Sequence, residues 1–386
     1  MTFQKMLKDD YQICTRCVMD TSAPQITFDE NGVCNHCREF DKIAEESWFP
    51  NEEGQKRLDV ILEQIRLEGK DKEYDCIIGL SGGVDSSYLA LKAYEWGLRP
   101  LAMHVDAGWN SELAVGNIER TIKHCGYDLH TYVVDWEEMR DLQLAYLHSG
   151  ISNQDVPQDH IFFASLYYFA TQNDIRYILT GGNLATEGIF PTAWHGAAMD
   201  AINLKAIHRK YGARPLKTYK TISFFEYYIW YPFVKKMRTV RPLNYMPYDK
   251  NVAITELEKT LGWRNYGRKH GESIFTKLFQ NYFLPERFGY DKRKPHLSSL
   301  IVSGQMTHDE ALRELAKPLY DPDELEMDIE YFCKKLKITS EQFNEFLSLP
   351  LRDYSEFPNW DNLHRNTKSI QKIAERILRR RINVYS

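Results

Sequence analysis

The stretch CIIGLSGGVDSSYLALKAYEWG, Cys76 to Gly97, decides the fold. An apolar run, Asp75–Leu80, leads into Ser81-Gly82-Gly83-Val84-Asp85-Ser86-Ser87. A helical pattern follows, with Leu89, Ala93 and Trp96 on one face. A strand that turns through paired glycines into a helix is a place for an anion. Gly82 and Gly83 permit positive φ and close backbone approach. Their N–H groups, with the helix N-terminus, favour negative charge. Ser81, Ser86 and Ser87 add hydroxyl donors. Asp85 is out of place beside a phosphate unless a cation offsets it, and Mg²⁺ does so. No lysine follows the glycines, so this is not the GxxxxGK[ST] loop.

Outward from the loop, further β-branched runs lie at Pro100–Asp106, Leu129–Asp135 and Ile175–Gly181. Helical patterns separate them, through Met139, Leu142 and Tyr146 and through Ile161, Ser165, Tyr168 and Phe169. Alternation of this kind predicts an α/β protein with a parallel, doubly wound sheet covered on both faces. Ligands of such sheets bind outside the carboxyl ends of the strands. Asp106-Ala-Gly-Trp109 and Thr180-Gly181-Gly182-Asn183, running on to Glu187, end two of those strands. After residue 183 the period is lost. From Tyr248 helical spacing dominates, at Val252–Leu261, His308–Leu315, Leu325–Leu336 and Ser340–Leu347, with breaks at Pro318 and Pro322. The expected domains are a cysteine-rich module at 1–50, an α/β domain carrying the anion loop at 51–247 and a helical region at 248–386 that contributes to the substrate site. RILRRR before Ile382 reads as a basic helix end on a solvated face.

The 386 residues can bury a sizeable core, and 43% hydrophobic with 27% charged residues is the balance of a soluble globular protein. No run of 18 apolar residues is long enough for a membrane span, and the first residues lack the apolar segment of a signal peptide, so the cytoplasm is the expected location. A net charge of −5 weighs against extended nucleic-acid binding.

Four of seven cysteines fall in the spacing Cys14-x₂-Cys17-x₁₆-Cys34-x₂-Cys37. Paired CxxC units at this distance read as a four-thiolate Zn²⁺ site, structural because the shell is full. A redox dithiol and an iron–sulfur centre are the alternatives. Asn31-Gly32 reads as the turn of a short hairpin between the pairs. Metal would supply folding energy to so small a segment. Cys76, Cys125 and Cys333 read as small core residues.

SGGVDSS resembles the pyrophosphate loop of the PP-loop ATP pyrophosphatases, the adenine nucleotide α-hydrolase-like superfamily. That resemblance implies transfer of AMP from ATP to a substrate oxygen, release of pyrophosphate and displacement of AMP by a nucleophile. It sets Asp106 near the adenosine half and closes Gly181, Gly182 and Asn183 over the phosphates. A plain loop at Gly181-Gly182 and a turn cap at Asp106 are the simpler readings. The chain further resembles the N-acetyl sugar amidotransferases of surface-polysaccharide and flagellin-glycan pathways. The carriers are Cys14-Thr-Arg-Cys-Val-Met-Asp20 with Pro24 and Cys34-Asn-x-Cys37, Gly181-Gly-Asn183, Asn203-x₄-His208, and Asp291-Lys-Arg-Lys-Pro-His-Leu-Ser-Ser-Leu-Ile-Val-Ser-Gly-Gln-Met306.

This second resemblance implies that the N-acetyl group of a nucleotide-linked sugar becomes an acetamidino group. ATP adenylates the amide oxygen, and ammonia displaces AMP. It also implies a glutaminase partner and a cyclase-like ammonia-channel subunit; position 2 is Thr2, not the cysteine of a built-in glutaminase, so ammonia is expected from another chain or from solution. Asp85, Lys292, Arg293 and His296 form the expected catalytic set, with Lys292 and Arg293 as cations for triphosphate or an acidic sugar and His296 for proton transfer or for binding the leaving phosphate. Surface charge is the simpler reading of each. Ser298, Ser299 and Gly304 read as caps of the next helix. Lys205, His208, Arg209 and Lys210 form a second basic cluster. The run Phe224–Phe233 reads either as core or as an interface with a partner or a second copy of the chain. A tRNA-thiolating enzyme and a non-catalytic zinc and nucleotide adaptor remain the competing functions.

Overall fold

Five short strands form one sheet in the computed structural model, which describes residues 11–194, 196–267 and 271–366. They are β1 (Cys76–Gly79), β2 (Pro100–Asp106), β3 (Leu129–Val133), β4 (Tyr177–Leu179) and β5 (Arg238–Val240). Their order is β3-β2-β1-β4-β5, and every neighbouring pair is parallel. The first four occupy the four apolar runs of the sequence. Arg238-Thr-Val240 is too short and too polar to stand out there; its place is fixed by pairing with Tyr177–Leu179.

Helices α1 (Asn35–Ser47) and α2 (Glu52–Gly69) precede the sheet. Helix α3 (Val84–Glu95) carries the chain from β1 to β2, and α4 (Glu112–Cys125) from β2 to β3. Helices α5 (Trp136–Ser149) and α6 (Val156–Gln172) return it to β4. Next come α7 (Leu184–Glu187), α8 (Ala201–Tyr211) and a π-helix at Glu226–Val234, before β5. Among the described residues seven more α-helices follow: α9 (Lys250–Leu261), α10 (Ile274–Leu278), α11 (Leu284–Phe288), α12 (Arg293–Val302), α13 (His308–Leu315), α14 (Pro322–Leu336) and α15 (Ser340–Ser348). Local chemistry sets their limits. Ser111 and Asp135 accept from the third amide of α4 and α5, Thr307 closes a capping box with Glu310, and Pro322 occupies the first turn of α14.

Alternation in β1 sorts the two faces. Ile77 joins Met103, Leu142, Tyr146, Ile161 and Ile178 under α5, α6 and α8. Cys76 and Ile78 join Leu58, Leu62, Leu89, Tyr177 and Leu179 under α2 and α3. Full burial of each such aliphatic side chain contributes about 1.5–3 kcal/mol. The sheet is therefore covered on both faces at its centre, while the edge strand β3 leaves Leu129 and Val133 exposed. The chain winds outward from β1 through β2 to β3, then returns to lay β4 on the other side of β1. This reversal opens a crevice at the carboxyl ends of β1 and β4.

Aromatic residues weld the later helices to that end of the sheet. Trp109, just beyond β2, packs with Phe275, Phe279, Phe332 and Phe343. The aromatic run Phe224–Phe233 is divided. Tyr227 and Tyr231 pack on Tyr167, whereas Phe225 and Phe233 stand more than half exposed. Among the described residues no helix is long and apolar enough to cross a membrane. The basic stretch RILRRR lies outside the described residues.

Candidate active site

The two glycine turns meet in the crevice. Gly82 adopts φ +80°, a conformation that costs other residues 1–2 kcal/mol or so. A Cβ there would also lie 2.5 Å from the Ala114 carbonyl oxygen. Gly83 opens α3 without a capping side chain, so the first-turn amides and the helix dipole present positive potential. The Ser81 and Ser86 hydroxyls are 3.2 Å apart, and Ser86 Oγ donates to the Gly83 carbonyl. Ser81 is exposed and Ser86 half-buried. Ser87 corrects the sequence reading. It is 1% exposed, and its hydroxyl, without a hydrogen-bond partner among the described residues, is enclosed by protein and is not a donor on the open face.

Across the crevice, Gly181 packs on the start of α3. A Cβ at 181 would stand 2.7 Å from the Asp85 carbonyl carbon and 3.0 Å from Ser86 N. Asn183 caps α7 through Oδ1 and donates from Nδ2 to Asp85 Oδ1 at 3.2 Å. The same Asp85 oxygen accepts a short hydrogen bond from the Tyr248 hydroxyl. Burial, then the charge of Asp85, holds the Tyr248 phenol protonated far above its ordinary range. Asp85 is thus aimed by groups from both later segments.

Asp106 at the end of β2 serves as a turn cap. Its Oδ1 accepts from Gly108 N at 2.8 Å and from Asn110 Nδ2 at 3.1 Å. Asn110 Nδ2 also lies 3.0 Å from His104 Nε2, and His104 Nδ1 is 2.9 Å from the Leu80 carbonyl. Each nitrogen has a defined partner, so the proton sits on Nδ1. The network fixes the residue that precedes Ser81.

Several residues at this site give no motif in the sequence. Trp263 Nε1 and the Tyr266 hydroxyl both donate to the Gly82 carbonyl, at 3.1 and 2.9 Å. Glu272 Oε1 lies 3.5 Å from where a Gly83 Cβ would be. Its carbonyl accepts from Ser111 N, and Ser273 bridges Asn110. Isolated aromatic and acidic residues in aperiodic sequence carry no spacing that would single them out.

Helix α12 forms the middle of the motif Asp291–Met306, and here the sequence reading is corrected twice. Arg293 does not offer its guanidinium to a triphosphate. It grips Asp291 through Nε and Nη2, and donates to the carbonyls of Glu314, Leu315 and Lys317, closing the C-terminus of α13. Ser298 and Ser299 are not caps. They lie fully buried inside α12. Ser298 Oγ accepts from Val18 N at 3.2 Å, and Ser299 Oγ accepts from Ile189 N at 2.9 Å. Gly304 turns the chain beyond α12 with φ +79°. Lys292 Nζ lies over the Phe190 and Trp194 rings at 5.5 and 5.8 Å. His296 is half-buried, one turn along α12. In the second basic cluster, His208 pairs with Asp141 at 3.1 Å and Asn203 donates to the Tyr354 carbonyl, so both serve packing.

The four cysteines converge. Their sulfurs all lie within 4.8 Å of one another, Cys14–Cys37 at 3.9 Å and Cys17–Cys34 at 3.7 Å. Tetrahedral Zn–S bonds of about 2.3 Å place sulfurs roughly 3.8 Å apart, so the set fits zinc. Hydrogen bonds from the Cys17, Cys34 and Cys37 side chains drive the Cys14 thiol far below its ordinary range, toward thiolate. The expected hairpin is a single Phe28–Cys34 bridge, closed through Asp29 and Gly32 and not by a two-residue turn. Phe40, Leu184, Ile189 and Trp194 pack around the cysteines. The metal module therefore rests on the segment that follows β4. Cys76, Cys125 and Cys333 are buried, and burial raises all three thiols.

Residues 272–373 match the family model described as LPS biosynthesis protein WbpG-like, C-terminal domain. No curated protein matches the chain. Among solved structures, the chain is similar to an NH3-dependent NAD synthetase from Campylobacter jejuni, at 14% identity and TM-score 0.27, covering 34% of this chain and 58% of that one. It is similar to the NMN synthetase from Francisella tularensis, at 16% identity and TM-score 0.35, covering 71% and 98%. It is also similar to the NAD+ synthetase from Burkholderia pseudomallei, at 21% identity and TM-score 0.26, covering 58% and 94%. The matched C-terminal residues contain all of α12, with its Ser298 and Ser299 contacts.

Proposed function

We propose, from the premise that residues 272–373 are a WbpG-like C-terminal domain, that this protein is an ATP-dependent amidotransferase acting on a nucleotide-linked N-acetyl sugar. The amide oxygen attacks the α-phosphorus of ATP, pyrophosphate leaves and the amide proton is lost to solvent. Ammonia adds to the carbon of the resulting O-adenylyl imidate, a proton passes from the new nitrogen to the old one, and AMP departs with the C–O bonding pair. The product is an acetamidino sugar. An amide resists ammonia until its oxygen becomes a leaving group, which is what adenylylation supplies.

One observation carries this reading: Ser81–Ser86 opens α3 at the point where the strand order reverses, with Asp85 held by Asn183 and Tyr248. Backbone amides and serine hydroxyls suit the β- and γ-phosphates, and Asp85 would hold Mg²⁺ against them. The cysteine site would hold structural Zn²⁺. Lys292 and His296 are assigned to the sugar side of the crevice. A glutaminase and a channel subunit would deliver ammonia. Thiolation of tRNA is the weaker reading, because Cys76, Cys125 and Cys333 are enclosed in the core.

The test is mass spectrometry of UDP- and CMP-linked N-acetyl sugars incubated with the protein, ATP, Mg²⁺ and ammonium. Exchange of oxygen for NH lowers the sugar mass by about 1 Da, with AMP and pyrophosphate formed in step. Formation of AMP and pyrophosphate without any change in sugar mass would refute it.

A further inference from the structure

Beside the glycine turns lies a polar cluster that the reaction above does not use. Asp155 precedes α6 and Asp159 falls one turn later, so both carboxylates project from the same face of the helix start. Asp155 Oδ1 accepts from Thr276 Oγ1 at 3.0 Å, and Oδ2 accepts from Gln280 Nε2 at 3.1 Å. Thr276 Oγ1 is 3.1 Å from Ser273 Oγ, which donates to Gln158 Oε1 at 3.4 Å. The amide of Gln158 is thereby drawn into the cluster. It is 3% exposed, and its Nε2 has no hydrogen-bond partner among the described residues. A buried N–H donor left over at the centre of a hydrogen-bonded cluster is expensive unless a ligand takes it.

The cluster is part of the crevice. Glu272, the residue before Ser273, is the one whose carboxylate approaches Gly83. On the other side, Glu187 Oε2 lies 3.8 Å from where a Gly182 Cβ would be. Asp159 is thus flanked by three elements. Asp155 faces it from its own helix, Glu187 from α7, and Lys292 from the start of α12. It retains a partly open surface, unlike Asp155 and Gln158.

Resting on the amidotransferase reading, we propose that Asp159 takes the proton from the ammonium ion, and that Gln158 and Asp155 hold the nucleophile and the acceptor amide beside it. Ammonium, the dominant form at neutral pH, has no lone pair. Transfer of one N–H proton to the Asp159 carboxylate leaves the bonding pair on nitrogen, and that pair forms the new C–N bond. The proton on Asp159 returns to solvent after AMP leaves. Burial, then the charge of Asp155, pushes the Asp159 carboxyl up to about 8, with Lys292 opposing and Glu187 adding. A base in that range is matched to its task at physiological pH.

The test compares two nucleophiles on one preparation, using the full chain, the acceptor sugar that the mass-spectrometric screen selects, ATP and Mg²⁺. Ammonium needs a base. Hydroxylamine is largely unprotonated at neutral pH and does not. In Asp159→Asn the ratio of hydroxylamine-supported to ammonium-supported turnover should rise about 100-fold, the usual contribution of a positioned base. Asp159→Glu should recover part of the ammonium rate. Because both rates come from the same sample, partial misfolding cancels in the ratio. An Asp159→Asn ratio equal to that of the unmodified protein overturns the assignment while leaving the amidotransferase reading intact. Absence of AMP and pyrophosphate from the unmodified protein with every sugar and both nucleophiles overturns both.

Discussion

Replacing Gly181 by alanine tests whether the two glycine turns must touch. The added methyl would sit 2.7 Å from the Asp85 carbonyl carbon, 2.8 Å from its oxygen and 3.0 Å from Ser86 N. These are backbone atoms of the first turn of α3, so no side chain can rotate away. Carbon atoms prefer separations of about 3.5–4.0 Å, and relief requires the end of β4 and the start of α3 to part by something near 1 Å. Overpacking of this kind costs about 1–3 kcal/mol. The catalytic cost is larger than the folding cost, because misplacement by 1 Å in a reacting site is worth about 10²-fold. The neighbouring Gly182→Ala is the control. Its methyl would meet only Thr180 Oγ1 at 3.6 Å and Glu187 Oε2 at 3.8 Å, both ordinary contacts. Urea unfolding should therefore separate the two variants by about 1–3 kcal/mol. Calorimetric titration with ATP and Mg²⁺ should show affinity lost in Gly181→Ala and kept in Gly182→Ala. Equal ATP affinity and equal stability in the two variants would refute the claim that this contact shapes the cradle.

Three further outcomes are expected. Cys14→Ser combined with Cys17→Ser should remove the metal, measured as zinc per chain by plasma mass spectrometry, and lower the thermal midpoint; full metal content at unchanged midpoint would refute the four-thiolate site. Lys294→Met should destabilise the chain by about 3–5 kcal/mol, because it strands a buried carboxylate; Asp20 is 1% exposed and lies 2.5 Å from Lys294 Nζ. Adding Asp20→Asn should recover most of that loss in urea unfolding, and additive losses would sink the pairing. Acid should destabilise in two stages. Burial pushes His160 down to about 4, and its neutral ring accepts from Ile222 N, so its contribution is lost as pH falls from about 6.5 toward 4, at up to 1.4 kcal/mol or so per unit. Asp20 is held below the usual carboxylate range because Lys294 and Ser22 outweigh its burial, so its contribution is lost only below about pH 4. Stability flat between pH 7 and 5 would contradict the first stage.

The centre of the fold was legible because its signals are local. Continuous apolar runs gave β1 through β4, and paired glycines after a strand located the cradle. The cysteine spacing gave the convergence of four sulfurs, since a short chain can bring two CxxC pairs together only in a few ways. What escaped the sequence was long-range. Tyr248 reaches Asp85 across 163 residues, and Ser298 reaches Val18 across 280. Neither has a neighbour in sequence that marks it. Arg293 misled for a related reason. A cation inside a basic motif looks available for phosphate until the fold shows the carbonyls it closes. The acids at the start of α6 escaped for a local reason: Asp155 and Asp159 read as ordinary helix-start residues that suit the N-terminal dipole, whatever packs beside them. The π-helix at Glu226–Val234 could not be read, because a widened turn contains Pro232 and follows no 3.6-residue period.

The placement of α12 links the four-cysteine cluster to the distant glycine turn. Two adjacent serines of this helix accept backbone amides on opposite sides. Ser298 takes Val18 N, one residue beyond Cys17, and Ser299 takes Ile189 N, two residues beyond Glu187. Lys294 pairs with Asp20 on the metal side, and Ser303 Oγ donates to the Ala185 carbonyl on the crevice side. Asp20, Ser298 and Ser299 are buried, so removing a partner from them leaves an unsatisfied amide or charge that costs more than the bond itself contributes. The helix therefore ties together the segment beside the thiolates and the segment that carries Asn183 and Glu187, which also pack on each other directly. The four sulfurs stand far from the crevice chemistry in sequence and need not take part in it. Their geometric role is to fix the first anchor of a chain of contacts whose last member aims Asp85.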